Sequence, residues 1–389
     1  MFSAHAPGTP SPAIVALAGM MALAVAMGIG RFAFTPLLPM MQDDAGLSVA
    51  QGGWLASANY AGYLLGALWA ARQAVRSGAA IRAALLTIGL STLGMGFAEG
   101  ALPWLLLRTI AGAASAWALV HVSAWCLGTL AAARQPVLNG TVFAGVGCGI
   151  ALTGGLCLVL MRLEAGSAQA WIALGVLSLA VAALLWPMLG VNGAAAAAPP
   201  AGGYRWTPDA LRLVTCYGAF GLGYIIPATF LPLMAKQSVG SPELFGWAWP
   251  VFGVTAALST LAAAPLLQLL GNRRLWMVAA LAMAAGVAAP LVVPGLAGVI
   301  VAAVLVGGTF MIITMAGMQE ARQVAGARAP TLMAAMTAAF AAGQVIGPLG
   351  VSYAADGEAA FPAALLVACA LLVLSAGALA VKPKRKEQP

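Results

Sequence analysis

Residues 28–41 read GIGRFAFTPLLPMM and residues 221–234 read GLGYIIPATFLPLM, so one pattern recurs 193 positions further along the chain. The register continues beyond this stretch, with three more identities at the same offset: Ser48 and Ser241, Gly53 and Gly246, Trp54 and Trp247. Two segments and their connecting loop therefore repeat without an insertion. Such a repeat predicts two parallel halves with a cavity at their interface.

The composition excludes a water-soluble globular enzyme. Of 389 residues, 62% are hydrophobic and 7% are charged, whereas a soluble domain has about 25% charged residues. A membrane-spanning helix needs about 20 apolar residues, which leaves room for a dozen spans and little else. In hydrocarbon every backbone amide must be bonded internally, so the apolar stretches are predicted to be helices.

The sequence predicts an all-α integral membrane protein with twelve transmembrane helices in two pseudo-symmetric bundles of six. The apolar stretches fall at 13–40, 49–71, 79–98, 101–131, 137–161, 168–190, 207–235, 243–270, 275–293, 295–320, 329–354 and 359–381. The alanine-, proline- and glycine-rich residues 191–206 are typical of a flexible connector. We therefore expect an N-terminal bundle at 1–190, a linker at 191–206 and a C-terminal bundle with a short basic tail at 207–389.

The distribution of basic residues predicts the orientation. One set of alternate loops holds 14 Lys and Arg residues, and the other set holds only Arg162 and Lys236. Because Lys and Arg accumulate in cytoplasmic loops, both termini are expected on the cytoplasmic side. The terminal run Lys382–Lys386 is read as a basic end that touches anionic lipid and not as a nucleic-acid site.

Three motifs resemble those of the major facilitator superfamily. Arg108-Thr-Ile-Ala-Gly112 looks like its Arg-x-x-x-Gly signature, and the glycine-rich residues 145–155 resemble its antiporter motif. Residues 28–40, with Gly343-Gln-Val-Ile-Gly-Pro348, are similar to the YbfB/YjiJ-type branch. The resemblance implies a twelve-helix secondary transporter of the bacterial inner membrane that works by alternating access, and it supplies no substrate.

Arg31 is the most informative polar residue, because it lies deep in the first span. An arginine near the bilayer centre costs about 3 kcal/mol, so it needs an acceptor or a wet cavity. It either grips an anionic substrate through its bidentate fork or bonds backbone carbonyls near Gly30 and Pro36. The repeat places Tyr224 at the equivalent position of the other half. Arg31 and Tyr224 are therefore expected to approach one site from opposite sides.

Other polar residues inside the spans are candidates for the same site or for proton transfer. Arg108 and His121 in the fourth span are predicted to couple protons or to make structural contacts between helices. Tyr217, Asn59 and Gln344 are further candidate substrate contacts. No Asp or Glu lies in the middle of any span. That absence disfavours a cationic substrate and favours a small organic anion.

The hypothesis from sequence is a proton-coupled secondary transporter of a small organic anion that acts as a monomer in lipid, with no cofactor and no metal. The chain has no Gly-x-x-x-x-Gly-Lys loop, so ATP hydrolysis is not expected. An exporter of hydrophobic drugs is the alternative, favoured if the pocket is lined by Trp117, Trp125, Trp247 and Trp249 instead of Arg31. A transport-dead sensor or a lipid flippase on the same scaffold also remains open, whereas too few histidines and acids are present for a membrane enzyme.

Overall fold

The computed structural model of the protein describes residues 11–70, 77–189, 204, 206–239, 241–353 and 360–381. These residues form twelve long helices and no strand. The helices are α1 (Pro12–Asp44), α2 (Val49–Ala70), α3 (Ser77–Met95), α4 (Ala101–Ala132), α5 (Asn139–Arg162), α6 (Ser167–Leu185), α7 (Pro208–Ser238), α8 (Ala248–Leu270), α9 (Asn272–Val292), α10 (Gly295–Ala325), α11 (Ala329–Tyr353) and α12 (Ala360–Ala380).

The prediction of twelve membrane-spanning helices is confirmed in outline. Eleven helices of the described chain are long and apolar enough to cross a membrane. The twelfth, α2, has 22 residues, about 33 Å at the usual rise per residue, and its lower hydropathy reflects polar residues such as Asn59. The predicted linker at 191–206 lies outside the described residues, apart from Tyr204 and Trp206.

Helix α1 is interrupted beside Arg31. Residues Ala24–Ile29 form a π-helix, and regular α-helix resumes only at Phe34. Pro36 has no N–H, and the Thr35 N–H bonds the Phe32 carbonyl at 3.2 Å instead of the Arg31 carbonyl four residues back. The interruption therefore frees backbone oxygen atoms at the level of the predicted site.

The glycine-rich run of α5 lets this helix pack closely on two neighbours. A Cβ atom added at Gly149 would lie 2.3 Å from the Ala24 carbonyl oxygen in α1. A Cβ atom added at Gly147 would lie 2.3 Å from the Ala257 nitrogen in α8. Only glycine permits both approaches, so the run lets α5 join α1 of the first half to α8 of the second half.

Equivalent residues of the repeat meet at one end of the molecule. We call this end, which holds the turn between α1 and α2, the α1–α2 side. Thr35 Oγ1 donates to the Ala228 carbonyl at 2.9 Å, and Lys236 Nζ bonds the Asp43 carboxylate. Each pair is separated by 193 positions, the offset of the sequence repeat. Helices α1 and α7 therefore face each other across an approximate two-fold axis.

Candidate functional site

A cavity of about 150 Å³ lies between the two groups of six helices. Its walls come from α1, α2, α4, α5, α7, α10 and α11, and they are mainly aromatic and aliphatic. The lining residues are Met27, Arg31, Phe32, Tyr63, Leu119, Phe143, Val146, Tyr217, Tyr224, Phe310, Met311, Thr314, Met318, Thr337 and Phe340. Arg31 is the one charged side chain among them.

The cavity is closed on the α1–α2 side. Among the described residues, the side-chain hydrogen bonds that join α1–α6 to α7–α12 lie at Arg31 or between Arg31 and that side. Examples are the bonds of Tyr60 with Thr229 at 3.0 Å and of Ser57 with the Val345 carbonyl at 3.0 Å. Lining residues on the opposite side, such as Thr337, are only half-buried. Access to the cavity is therefore easier from the side opposite α1–α2.

Arg31 is 3% exposed and has no acidic partner in the described part of the chain. Its Nη2 donates to Oε1 of Gln344 in α11. Its guanidinium carbon lies 4.0 Å from the centre of the Tyr63 ring and 5.4 Å from that of Tyr60. Aromatic faces partly stabilise the cation, but no described residue neutralises it.

Gln344 links the two residues that the repeat places at equivalent positions. Its Nε2 donates to the Tyr224 hydroxyl, while its Oε1 accepts from Arg31. Gln344 itself is fully buried. Arg31 and Tyr224 thus line the same cavity from α1 and α7, and the amide of Gln344 lies between them.

Parallel aromatic rings form one wall of the cavity, which we call the aromatic wall (Tyr224, Phe310 and Phe340). The Tyr224 ring is nearly parallel to the Phe310 ring, at 5.7 Å and 3°, and to the Phe340 ring, at 5.6 Å and 9°. Tyr217 adjoins it, with its ring centre 5.3 Å from that of Phe340. The site therefore combines a cation with a flat apolar surface.

Arg108 and Asn59 hold the interrupted part of α1 and do not line the cavity. The Arg108 guanidinium donates to the Arg31 carbonyl at 2.8 Å and to the Gly30 carbonyl at 3.4 Å. Asn59 Nδ2 donates to the Gly30 carbonyl at 3.1 Å and to the Arg108 carbonyl at 2.8 Å. The structure thus brings Asn59 to backbone oxygen atoms, and its expected contact with substrate has no geometric support.

The bonds of Arg108 also separate the two interpretations of Arg31. Backbone carbonyls near Gly30 are bonded by Arg108 and Asn59, whereas the hydrogen bond of the Arg31 guanidinium goes to a side chain of α11. Arg31 is therefore not needed to satisfy the backbone of its own helix.

His121 lies apart from the cavity lining. Its ring centre is 5.1 Å from that of Trp117, which in turn is 4.4 Å from that of Trp69. His121 is buried, and its Nε2 has no hydrogen-bond partner within the described residues. The structure thus places one unpaired titratable side chain among aromatic rings of α2 and α4.

None of the four tryptophans proposed for a drug-binding pocket lines this cavity. Trp249 is buried against Phe252, with ring centres 4.8 Å apart, and Trp117 packs on Trp69 and His121. Trp247 is 49% exposed. The lining contains Arg31 instead, which is the arrangement that the anion hypothesis requires.

Sequence reasoning missed the apolar part of the site. Phe310 and Phe340 are two of many aromatic residues in apolar spans, and no local pattern marks them. One signal was present for Phe340, since it lies four residues before Gln344 and so shares its helix face. Tyr63 was also missed: it lies four residues after Asn59 in α2 and lines the cavity, whereas Asn59 does not.

Comparison with known proteins identifies the family. The family model described as "Uncharacterised MFS-type transporter YbfB" matches residues 23–380. Comparison with curated proteins gave no match. One similar solved structure is that of a nucleoside transporter, NupG, with 13% identity and a TM-score of 0.69; the match covers 94% of this chain and 98% of that one. Another is that of a D-xylose-proton symporter, with 13% identity and a TM-score of 0.71; the match covers 95% of this chain and 98% of that one. At this identity the likeness shows the fold alone.

Proposed function

The chain belongs to the YbfB family of MFS-type transporters and is a secondary transporter, not an enzyme; we propose that its substrate is a small organic anion and that a proton accompanies it. The single observation that carries this proposal is Arg31, a buried cation that lines the central cavity and has no acidic partner among the described residues. The residues proposed to contact substrate are Arg31, Tyr63, Tyr217 and Tyr224.

The cost of burying Arg31 supports a role in binding. An arginine at this depth costs about 3 kcal/mol, and the backbone of α1 does not need it because Arg108 bonds those carbonyls. A carboxylate would neutralise the charge and accept two parallel hydrogen bonds from the planar fork. The Gln344 oxygen occupies one of these positions, and we propose that a substrate carboxylate displaces it.

The closed α1–α2 side fits one state of an alternating-access cycle. With the orientation proposed from the basic loops, both termini are cytoplasmic in the bacterial inner membrane and the α1–α2 side is periplasmic. The cavity would then be accessible from the cytoplasm. Binding of the anion breaks the bond between Arg31 in α1 and Gln344 in α11, which joins the two halves, so substrate binding favours opening of the closed side.

The cycle needs no ATP and no nucleic acid, and a single chain in lipid contains the whole site.

Charge balance supports a proton as the coupling ion. Moving one negative charge across the membrane changes its free energy by about 2.3 kcal/mol per 100 mV, and a proton carried with the anion makes the step electroneutral. Within the described residues no group of His, Cys, Asp and Glu is able to hold a metal ion. We propose His121 as the proton-accepting residue, because its buried Nε2 has no hydrogen-bond partner among the described residues and it lies in α4, the helix that also carries Arg108. Arg108 is assigned a structural role.

Binding measured by isothermal titration on the detergent-purified protein tests the anion proposal. Benzoate is expected to bind the wild type and to lose all measurable affinity in Arg31→Ala, with an intermediate affinity in Arg31→Lys. Arg82→Ala is the matched control, because Arg82 donates to the Trp186 carbonyl and does not line the cavity. Equal binding by wild type and Arg31→Ala, or preference for cationic drugs in both, would overturn the proposal.

Transport in proteoliposomes tests the proton assignment. A pH gradient should drive accumulation of benzoate by the wild type, whereas His121→Asn should retain exchange of internal for external benzoate and lose accumulation. Trp117→Phe is the matched control, since it keeps an aromatic ring beside His121. Full accumulation by His121→Asn would contradict the role of His121.

A further inference from the structure

We infer that the substrate is an aromatic monocarboxylate, whose carboxylate binds Arg31 while its ring packs on the aromatic wall. The inference rests on the proposed function and adds the chemical class of the rest of the molecule. It follows from the residues other than Arg31 that line the cavity.

The aromatic wall favours a planar ring. The Tyr224 ring is nearly parallel to the Phe310 ring and to the Phe340 ring. All three residues line the cavity. A further flat ring extends such a set of offset parallel rings, and aromatic pairs are stabilised beyond their buried area. Met311 and Met318 also line the cavity, and thioether sulfur atoms contact aromatic ring edges favourably.

The polar groups of the cavity are too few for a sugar-like molecule. Thr314 Oγ1 donates to the Phe310 carbonyl at 2.9 Å, and Thr337 Oγ1 donates to the Met333 carbonyl at 2.8 Å. Both threonine hydroxyl hydrogens are therefore used within their own helices. Beyond Arg31, the lining then offers the hydroxyl groups of Tyr63, Tyr217 and Tyr224, and that of Tyr224 already accepts from Gln344. A polyhydroxylated substrate needs a partner for each buried hydroxyl group, and this set is small for that purpose.

The charge of the cavity disfavours an ammonium group on the same molecule. Among the described lining residues Arg31 is charged and none is acidic. An aromatic amino acid would place its ammonium in an apolar cavity without a carboxylate partner, which is unfavourable. The ligand class is therefore an aromatic acid that carries a single negative charge.

The size of the cavity agrees with one ring. It measures about 150 Å³, and an apolar cavity of about 150 Å³ is large enough to bind benzene. Pockets for drug-sized ligands start at about 300 Å³. A single aromatic ring with its carboxylate directed at Arg31 fits this space, whereas a large hydrophobic drug does not.

Competition between matched ligands tests the inference on the wild-type protein. Benzoate, cyclohexanecarboxylate, acetate, benzamide and L-phenylalanine are titrated under identical conditions. Benzoate should bind about three- to tenfold more tightly than cyclohexanecarboxylate, which has the same charge and ring size but no π-system. Acetate, benzamide and L-phenylalanine should bind more weakly than both. Equal affinity for benzoate and cyclohexanecarboxylate would overturn the aromatic class and leave the anion proposal intact.

Variants of the aromatic wall complete the experiment. Phe340→Leu should bring the ratio of the benzoate and cyclohexanecarboxylate affinities close to one while both acids still bind, and Phe310→Leu provides a second variant should the first fail to fold. Phe230→Leu is the control, because Phe230 packs on Phe361 outside the cavity and should leave the ratio unchanged. An unchanged ratio in both wall variants would overturn the inference. Benzamide binding as tightly as benzoate would instead overturn the anion proposal itself.

Discussion

Replacing Gln344 by glutamate should place an internal carboxylate on Arg31 and block the substrate site. The two side chains have the same shape, and Oε1 of Gln344 already accepts a hydrogen bond from Arg31. The second oxygen of the glutamate would lie beside the Tyr224 hydroxyl, which now accepts from the Gln344 amide and is equally able to donate. Gln344→Glu therefore keeps both contacts and adds the charge that the substrate is proposed to supply.

The expected loss of affinity follows from what a substrate must displace. Breaking a buried ion pair costs about 3–5 kcal/mol, whereas a hydrogen bond between a neutral group and a charged one contributes about 1.5–3 kcal/mol. The glutamate variant therefore adds a penalty of about 2 kcal/mol to binding, roughly 30-fold in the dissociation constant. The same new ion pair should raise the unfolding temperature of the ligand-free protein.

Titration with benzoate and thermal unfolding of the same samples measure both effects. Gln237→Glu is the matched control, because Gln237 is exposed near the end of α7 and receives the same change of charge outside the cavity. If Gln344→Glu binds benzoate as tightly as the wild type does, the substrate carboxylate does not occupy the place of the Gln344 oxygen. That result would refute the displacement step.

Three further substitutions test the scaffold. Asn59→Ala removes both hydrogen bonds to backbone carbonyls and should lower the free energy of unfolding by about 2–4 kcal/mol, measured by denaturation in mild detergent; a loss below 1 kcal/mol would show that other groups satisfy these carbonyls. Lys236→Ala removes the bond to Asp43, whose side chain is 67% exposed. The equilibrium between the closed and open states should therefore shift toward opening by at most about fivefold, as measured from the distribution of spin-label distances between the ends of α1 and α7. Gly253→Leu should abolish transport, because even a Cβ atom there would lie 2.2 Å from the Ala151 nitrogen, and a fully active variant would contradict the tight contact of α5 with α8.

The sequence was sufficient for the fold because the membrane leaves few alternatives. Apolar stretches of about 20 residues must be helices, so hydropathy predicted eleven of the twelve spans with their approximate ends, and the alternation of basic loops supported the twelfth. The repeat added the spatial relation, since an offset of 193 makes Arg31 and Tyr224 equivalent, and both line one cavity. The prediction needed no knowledge of packing angles.

Side-chain partners within the bundle could not be predicted in the same way. Asn59 and Tyr63 are one helical turn apart, yet Asn59 bonds backbone carbonyls and Tyr63 lines the cavity. The difference depends on the interruption of α1, which exposes the Gly30 carbonyl. Hydropathy carries no signal for a π-helix such as Ala24–Ile29, because its residues are as apolar as those of a regular span. The roles of neighbouring polar residues therefore remained open until the path of the α1 backbone was known.

The two halves contribute different chemistry from equivalent positions. In α1 the π-helix and the interruption at residues 30–33 present Arg31, and two side chains bond the freed carbonyls. In α7 the equivalent stretch remains one continuous helix, Pro208–Ser238, and presents Tyr224 to the parallel rings of Phe310 and Phe340. The repeated position thus supplies a cation from one half and a flat aromatic surface from the other. A ligand that contacts both must carry a negative group at one end and an apolar, planar body at the other, and it takes the place of the Arg31–Gln344 bond between the two halves whose relative motion transport requires.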